Sequence, residues 1–388
     1  FTAIDFDPNA FANIIKSSGA KYVVLTTKHH EGYTLWPNKQ SWSWNAVDVG
    51  PARDLVGEIR DAILKVGGVH WGTYFSLFEW FNPIYLADKA SRGATTNYVD
   101  QVSYPQLIDL ISNYKPDVIW SDGDWEMSYN YWRSPEFLAW LYNESPVKDT
   151  VVTNDRWGNG STCLHGGYLT CQDHYLPNQL PTRKWEDSDT IDKRGSYGYR
   201  RTITADDVLS PLEVITRLVQ VISKGGNYLL NIGPDANGKI IPLFEERLRQ
   251  IGSFVNAHAE AIFSSKPWIF QNDNTNSPVW YTSQLRNTTG FDPYRIYNPQ
   301  QQQNTIVYAF VLSWPDDNKV NLTKVIPTSS TVVNLFGSNN QLIPLKYTQQ
   351  SGGIQVDISG LSVTKFPSTD AFVLKIEYAA DQNVNPVG

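Results

Sequence analysis

Two hydrophobic rhythms divide this chain. Up to about residue 265, short apolar runs alternate with stretches whose apolar residues recur at helical spacing. Asp7 and Pro8 mark a helix start, with Phe11, Ile14 and Ile15 on its apolar face and Gly19 at its end. Further helices are predicted over 51–66, near 106–113, from Ser134 and Pro135 onward, from the capping box at Ser210 through 222, and over 242–258. Strands are predicted over 21–27, 69–77, 118–122, 150–153, 168–172, 183–186 and 227–232. Seven strands alternating with helices predict an α/β fold, a (β/α)8-like TIM barrel, one strand short. Because the chain opens on a helix, the first barrel strand is expected upstream of residue 1, leaving the barrel incomplete at that edge.

Beyond 265 the helical spacing stops. Short strands are predicted over 279–282, 306–313, 319–325, 331–336, 354–358 and 371–378, separated by Gly, Asn, Pro and Ser turns. This is the pattern of an antiparallel β-sandwich. The expected domains are therefore a catalytic barrel over 1–265 and a C-terminal β-sandwich over 266–388. The Gln/Asn-rich run 298–304 reads as a surface loop, and no internal repeat is found.

In parallel α/β folds the chemistry sits at the carboxyl ends of the strands. The apolar run Val118, Ile119, Trp120 ends in Asp122 and Gly123, a carboxylate on a turn signal. An isolated Asp there would simply cap the turn, but three acids and two tryptophans fall within seven residues. The other strand ends supply His29, His30, Glu31, Tyr74, Glu79, Trp80, Trp120, Arg156, Trp157, Asp173, Trp185 and Glu186. Carboxylates among aromatics, with one arginine and no cofactor fingerprint, point to hydrolysis of a glycosidic bond. That reaction uses one carboxylate as nucleophile and a second carboxyl group as acid and base, about 5–5.5 Å apart when configuration is retained. The imidazoles of His29 and His30 suit hydrogen bonds to sugar hydroxyls. As strand neighbours they are expected to point to opposite sides, which argues against one shared metal ion. Glu79 and Trp80 read either as ligand contacts or as a buried pair at a loop start. The Lys224-Gly225-Gly226-Asn227 stretch lacks phosphate-loop spacing and reads as a tight turn.

Composition narrows the field. The net charge is −7 and there is no basic stripe, which argues against nucleic acid as a partner. No apolar run is long enough to cross a bilayer. Aromatics make up 13% of the residues, a surplus that suits stacking on sugar rings as well as filling a core. Cys163 and Cys171 are the only cysteines, too few for a metal site, and a local disulfide is the simpler reading. With the glycosylation acceptors Asn143, Asn159, Asn287 and Asn321 they place the chain in the secretory pathway. A chain that opens on Phe1 without a signal peptide reads as processed or truncated.

Four motifs, in order, resemble one family. They are Lys28-His29-His30-Glu31-Gly32-Tyr33, Trp120-Ser121-Asp122-Gly123, Asn154-Asp155-Arg156-Trp157, and the eleven residues from Lys224 to Pro234. The chain resembles the α-L-fucosidases of glycoside hydrolase family 29, especially animal lysosomal and secreted tissue enzymes. The likeness is strong to about residue 265 and looser beyond it. It implies a retaining exo-hydrolase of terminal α-L-fucose that needs no metal and no organic cofactor, acting on fucosylated oligosaccharides or glycoprotein glycans. By position, Asp122 matches the nucleophile, and His29, His30, Tyr74, Trp120 and Arg156 match fucose-binding residues, with Glu79 and Trp80 as further candidates. A family histidine in a first-strand His-Trp-Gly motif has no counterpart, which agrees with an upstream strand. The family varies at the acid/base, and Asp173 and Glu186 both fit. Asp173 is preferred, because a bridge between Cys163 and Cys171 would hold its backbone. The contrasting reading is a non-catalytic, lectin-like fucose binder on the same fold. Lysosome and extracellular space, fucose linkage and a homo-oligomer are left open.

Overall fold

The structure is a computed structural model in which residues 1–273, 278–285 and 305–380 are described. Asn287 and the 298–304 run lie outside these residues. The chain forms two compact units, one of residues 1–173, 197–200 and 232–245, the other of 174–196, 201–231 and 246–388.

In the first unit, helices and strands alternate as α1 (Pro8–Ser17), β1 (Tyr22–Lys28), α2 (Leu55–Val66), β2 (His70–Ser76), α3 (Pro83–Ala90), α4 (Tyr104–Tyr114), β3 (Val118–Asp122), α5 (Ser134–Asn143) and β4 (Val152–Thr153). The strands form a parallel sheet in the order β1-β2-β3-β4. Asp7 caps α1 by accepting the N–H groups of Asn9 and Ala10. Helix α2 begins later than the expected 51, because Asp54 is its cap and accepts from Gly57. Every residue of β3 is buried, so side chains on both faces of the strand are out of water; this is why its sequence opens as an apolar run and not an alternation.

The strand expected over 168–172 is not there. Asp155 Oδ1 and Oδ2 accept the backbone N–H groups of Cys163, Thr170 and Cys171, taking the donors a sheet ladder would need. Cys171 also has a positive φ, 53°, which breaks an extended strand.

In the second unit, β5 (Trp185–Thr190) pairs in parallel with β6 (Gly226–Asn231), and α6 (Pro211–Ser223) links them. The run expected over 183–186 is thus the start of a strand that continues to Thr190. The capping box is formed: Ser210 Oγ accepts from Glu213 N, and Glu213 Oε2 accepts from Ser210 N. Helices α7 (Pro242–Ala257) and α8 (Ala259–Phe263) follow. The C-terminal strands are β7 (Lys266–Asp273), β8 (Val279–Leu285), β9 (Thr305–Val311), β10 (Lys319–Leu322), β11 (Val332–Phe336), β12 (Leu342–Gln350), β13 (Gly353–Asp357) and β14 (Phe372–Glu377). They form one antiparallel ladder in the order β10-β13-β12-β11-β14-β9-β8-β7. Strand β12 passes between the layers of a sandwich: its first residues pair with β11 and its last with β13. The sequence pattern missed β12, whose Pro344 and polar residues read as a turn, and β7, which starts where the helical rhythm ends.

One core lies within the sandwich, including Leu322, Leu335, Val356 and Leu374. A second joins the other face of β9 and β14 to α6, α7 and α8 through Ile215, Phe254, Tyr308 and Val373. His258 belongs to this second region. It is fully buried, its ring lies 4.5 Å from that of Phe254, and Nδ1 bonds the Phe254 carbonyl oxygen at 2.8 Å. Burial holds its pKa down to about 4. The unfolded chain therefore takes up a proton near pH 6.5 that the folded chain refuses until about pH 4, so this group favours folding less as the pH falls through that window. Replacing His258 with Phe is expected to remove that dependence. Urea midpoints of the two proteins should diverge in favour of the variant from pH 6.5 down to about 4, and run parallel below.

Candidate active site

Three strand ends in the first unit supply the site. At the end of β1 the register slips, so that Thr26 and Lys28 oppose the consecutive residues Tyr74 and Phe75 of β2. His29 and His30 lie past this bulge and past the ladder. The alternation expected of them fails for that reason: their rings sit side by side, 4.0 Å apart. Strand β3 ends on Asp122, and Gly123 turns the chain with φ of 90°. A Cβ at Gly123 would lie 2.7 Å from the Phe78 ring, so only glycine fits. The loop after β4 is pinned to β3. Ser121 N and Oγ donate to Asn154 Oδ1, and Ser121 Oγ also approaches the Arg156 carbonyl oxygen at 2.6 Å.

Asp122 is buried and its carboxylate is held from both oxygens. Tyr74 donates its hydroxyl to Oδ2 at 2.5 Å, and Arg156 Nη1 donates to Oδ1 at 3.2 Å. Burial raises the Asp122 pKa, and Arg156 and the Tyr74 hydrogen bond oppose that rise. The second terminal nitrogen of Arg156 donates to Asp173 Oδ1 at 2.6 Å, and Nε donates to Thr170 Oγ1 at 3.1 Å. One guanidinium therefore clasps two carboxylates, and its plane lies over the Trp120 ring at 4.6 Å. Burial alone would lower the Arg156 pKa; Asp122 and Asp173 outweigh it and hold it above its ordinary value. Tyr74 stacks between Trp120 and His29, with ring centroids 5.5 and 5.6 Å away.

His30 is buried and neutral. Burial is the main cause that drives its pKa down to about 3, with His29 and Lys28 adding to it. Its Nδ1 lies 2.6 Å from Ser76 Oγ, and that hydroxyl donates its own proton to the Phe78 carbonyl oxygen at 2.7 Å. Ser76 can then only accept, which fixes the proton of His30 on Nδ1. The bare Nε2 faces Asp122 Oδ2 at 3.7 Å. Two acceptors facing each other across that gap suit a hydroxyl donor. Ser76 escaped the sequence analysis, although it stands in register with Asp122 at the carboxyl end of β2.

The disulfide between Cys163 and Cys171 is present, and Asp155 clips the same two residues through their backbone N–H groups. The same Asp155 bonds the hydroxyl of Thr170, which in turn meets Arg156. Asp173, two residues past the bridge, keeps a side chain 44% exposed.

The remaining candidates have other surroundings. Glu79 Oε1 accepts from the buried Lys28 at 3.1 Å and Oε2 from Asn82 at 2.9 Å, so its carboxylate is already matched inside the first unit. Gln106 Oε1 also accepts from Lys28, at 2.9 Å. Trp80 flanks the histidines and is half-exposed. Glu186 is the second residue of β5 in the second unit and is buried. Asn143 and Asn159 are exposed; Asn321 is partly covered and accepts from Gln355 at 2.9 Å. His29, His30 and Asp122 offer ligand atoms within 4.8 Å of one another, a spacing a metal ion could use. Arg156, however, already places a fixed positive charge 3.2 Å from that carboxylate, which repels a cation.

Parallel α/β strand ends that present a buried, ionically held carboxylate, a more exposed second one on the same arginine, and stacked aromatic rings define a glycoside hydrolase. Comparison with known proteins narrows the class. The family model of α-L-fucosidase matches residues 1–260, and that of the α-L-fucosidase C-terminal domain matches 271–377. A putative α-L-fucosidase of Caenorhabditis elegans is 47% identical over all of this chain and 79% of its own length. The tissue α-L-fucosidase of Homo sapiens is 45% identical over 97% of this chain and 76% of its own. The crystal structure of Thermotoga maritima α-fucosidase in complex with fucose superposes with a TM-score of 0.75 at 28% identity, over 97% of this chain and 80% of that one. The chain belongs to the α-L-fucosidase family of glycoside hydrolases.

Loss of the Ser76 hydroxyl releases the His30 ring to present either nitrogen. Ser76→Ala is expected to lower kcat/KM on an aryl α-L-fucoside by about ten-fold, mostly through KM, and Ser76→Thr to retain most of it. Steady-state kinetics on the three proteins check this.

Proposed function

We propose that this enzyme removes terminal α-L-fucose with retention of configuration, Asp122 acting as nucleophile and Asp173 as acid and base. The observation that carries the assignment is the shared guanidinium: Arg156 binds Asp122 through one terminal nitrogen and Asp173 through the other. In the first step an Asp122 oxygen attacks the anomeric carbon and a fucosyl ester forms, while the Asp173 carboxyl proton goes to the departing oxygen. In the second, Asp173 takes a proton from water, whose oxygen attacks the anomeric carbon and frees Asp122. Tyr74 and Arg156 hold Asp122 ionised and aimed for attack. His29, the acceptor nitrogen of His30 and Arg156 serve the sugar hydroxyls, and Trp120 and Tyr74 form an aromatic wall.

Two facts support Asp173 over Glu186 as the acid. The acid must meet a leaving group that emerges into solvent, and the Asp173 side chain is 44% exposed. Glu186 is 1% exposed on the body of β5. Glu79, matched to Lys28, serves the loop instead of the sugar.

The substrates in this reading are fucosylated oligosaccharides or glycoprotein glycans. The disulfide, the exposed acceptors Asn143 and Asn159, and the tissue and plasma enzymes among the relatives support a secretory-pathway enzyme, lysosomal or extracellular. No helix among the described residues is long and apolar enough to cross a membrane. The spans of the two family models support a catalytic region to about 265 and a C-terminal sandwich beyond it.

Asp122→Asn is expected to cut nitrophenol release from an aryl α-L-fucoside on the order of 10⁴-fold. Asp173→Ala should lower the rate by 10²–10⁴-fold on a poor leaving group and far less on a good one. If Glu186→Ala shows that contrast and Asp173→Ala does not, the acid is Glu186. Chelators are expected to leave the rate unchanged, and a rate lost to chelator and restored by metal would overturn the cation-free site.

A further inference from the structure

Several aromatic side chains of the first unit are exposed, and three of them cluster beside His30. Trp80 is 49% exposed, Trp125 55% and Phe81 74%. Both indoles touch the same buried imidazole: the Trp80 ring lies 5.2 Å from His30, and the Trp125 ring 5.5 Å from it, edge-on at 88°. Phe81 extends the cluster from Trp80, at 6.3 Å. Single apolar residues on a surface carry no message, but joined rings beside a polar site do.

The loop that bears Trp125 is not slack. Before it, Gly123 fits against Phe78 and Asp124 accepts from the Thr162 hydroxyl. After it, Glu126 accepts from the Tyr85 hydroxyl and, at 2.8 Å, from Lys89. The indole also stands edge-on to the Phe78 ring at 5.7 Å. A half-exposed indole held this firmly is pre-organised for a flat ligand.

Burial indicates which part of the ligand it meets. His30, Asp122 and Arg156, the groups suited to a terminal sugar, are 5–7% exposed. The rings of Trp80 and Trp125 adjoin that pocket but lie outside it, on the solvent side. The Asp173 side chain, 44% exposed, likewise reaches solvent. We infer that Trp80 and Trp125 form a binding platform for the sugar residue that carries the fucose, a hexopyranose stacked through its apolar C–H face. This rests on the fucosidase reading above and adds the chemical class of leaving group for which the enzyme is built. Stacking of this kind strengthens binding by about two- to ten-fold per ring.

The test compares two substrates. α-L-Fucosyl fluoride has no leaving-group ring to stack, whereas a fucosylated disaccharide has one. For Trp125→Ala, the ratio of kcat/KM on the disaccharide to kcat/KM on the fluoride is expected to fall about two- to ten-fold, with Trp125→Phe keeping most of it. Trp80→Ala should lower the ratio in the same direction. Fluoride turnover shows in the same assay that each variant is folded. Equal losses on both substrates would make the indoles mere packing for His30 and overturn the platform, and so would no loss on either. A wild-type enzyme inactive on both substrates would instead refute the fucosidase reading itself.

Discussion

A guanidinium removed from water cannot stand alone. Arg156 is 6% exposed, and burial of that charge is costly unless opposite charges and hydrogen-bond acceptors surround it. Here each nitrogen has a partner: Asp122, Asp173 and the Thr170 hydroxyl. The requirement runs both ways, since Asp122 is itself buried and needs a cation to remain ionised. The two carboxylates are thus fixed by the same electrostatic necessity that makes the interior tolerable. The loop carrying Arg156 is accordingly tied to β3 through Ser121 and Asn154, and its outer arm is gathered by Asp155.

A second buried ion pair works at a different level. Lys28 is almost fully desolvated, which lowers its pKa, and Glu79 counters that effect. This pair, with Gln106 and Asn82, joins the end of β1 to the loop after β2 and so supports the backbone of His29 and His30. The histidines themselves are handled by the opposite strategy. His30 is kept neutral by burial, and Ser76 selects its tautomer, so that its Nε2 is an acceptor while Arg156 and Tyr74 act as donors to Asp122. A polar pocket with donors and acceptors sorted in advance discriminates between hydroxyl patterns better than one of mobile charges.

Much of the fold could be read from the chain because its signals are local. The capping box at Ser210, Pro8 at the start of α1, and the buried apolar run of β3 depend on residues a few positions apart, and each appears as expected. The errors have a common origin in contacts between distant segments. Residues 168–172 look β-forming, yet Asp155 takes their backbone donors from outside the segment. Strand β12 carries a proline and polar residues that argue for a turn, yet β11 and β13 on its two edges draw it into the sheet. Glu79 reads either as a ligand contact or as part of a buried pair, and its ion pair with Lys28 depends on a residue 51 positions away.

By itself the sequence determined the alternation of strands and helices, the change to antiparallel strands, the pairing of two lone cysteines, and the presence of acids, imidazoles and indoles at strand ends. Those follow from periodicity and residue chemistry, which survive without coordinates. The tertiary structure alone decided that one arginine joins Asp122 to Asp173, that Ser76 sets the proton of His30, and that a β-bulge puts His29 beside His30. Such pairings span tens of residues and depend on angles and burial, and in a linear chain neither a distance nor a dielectric environment is written down.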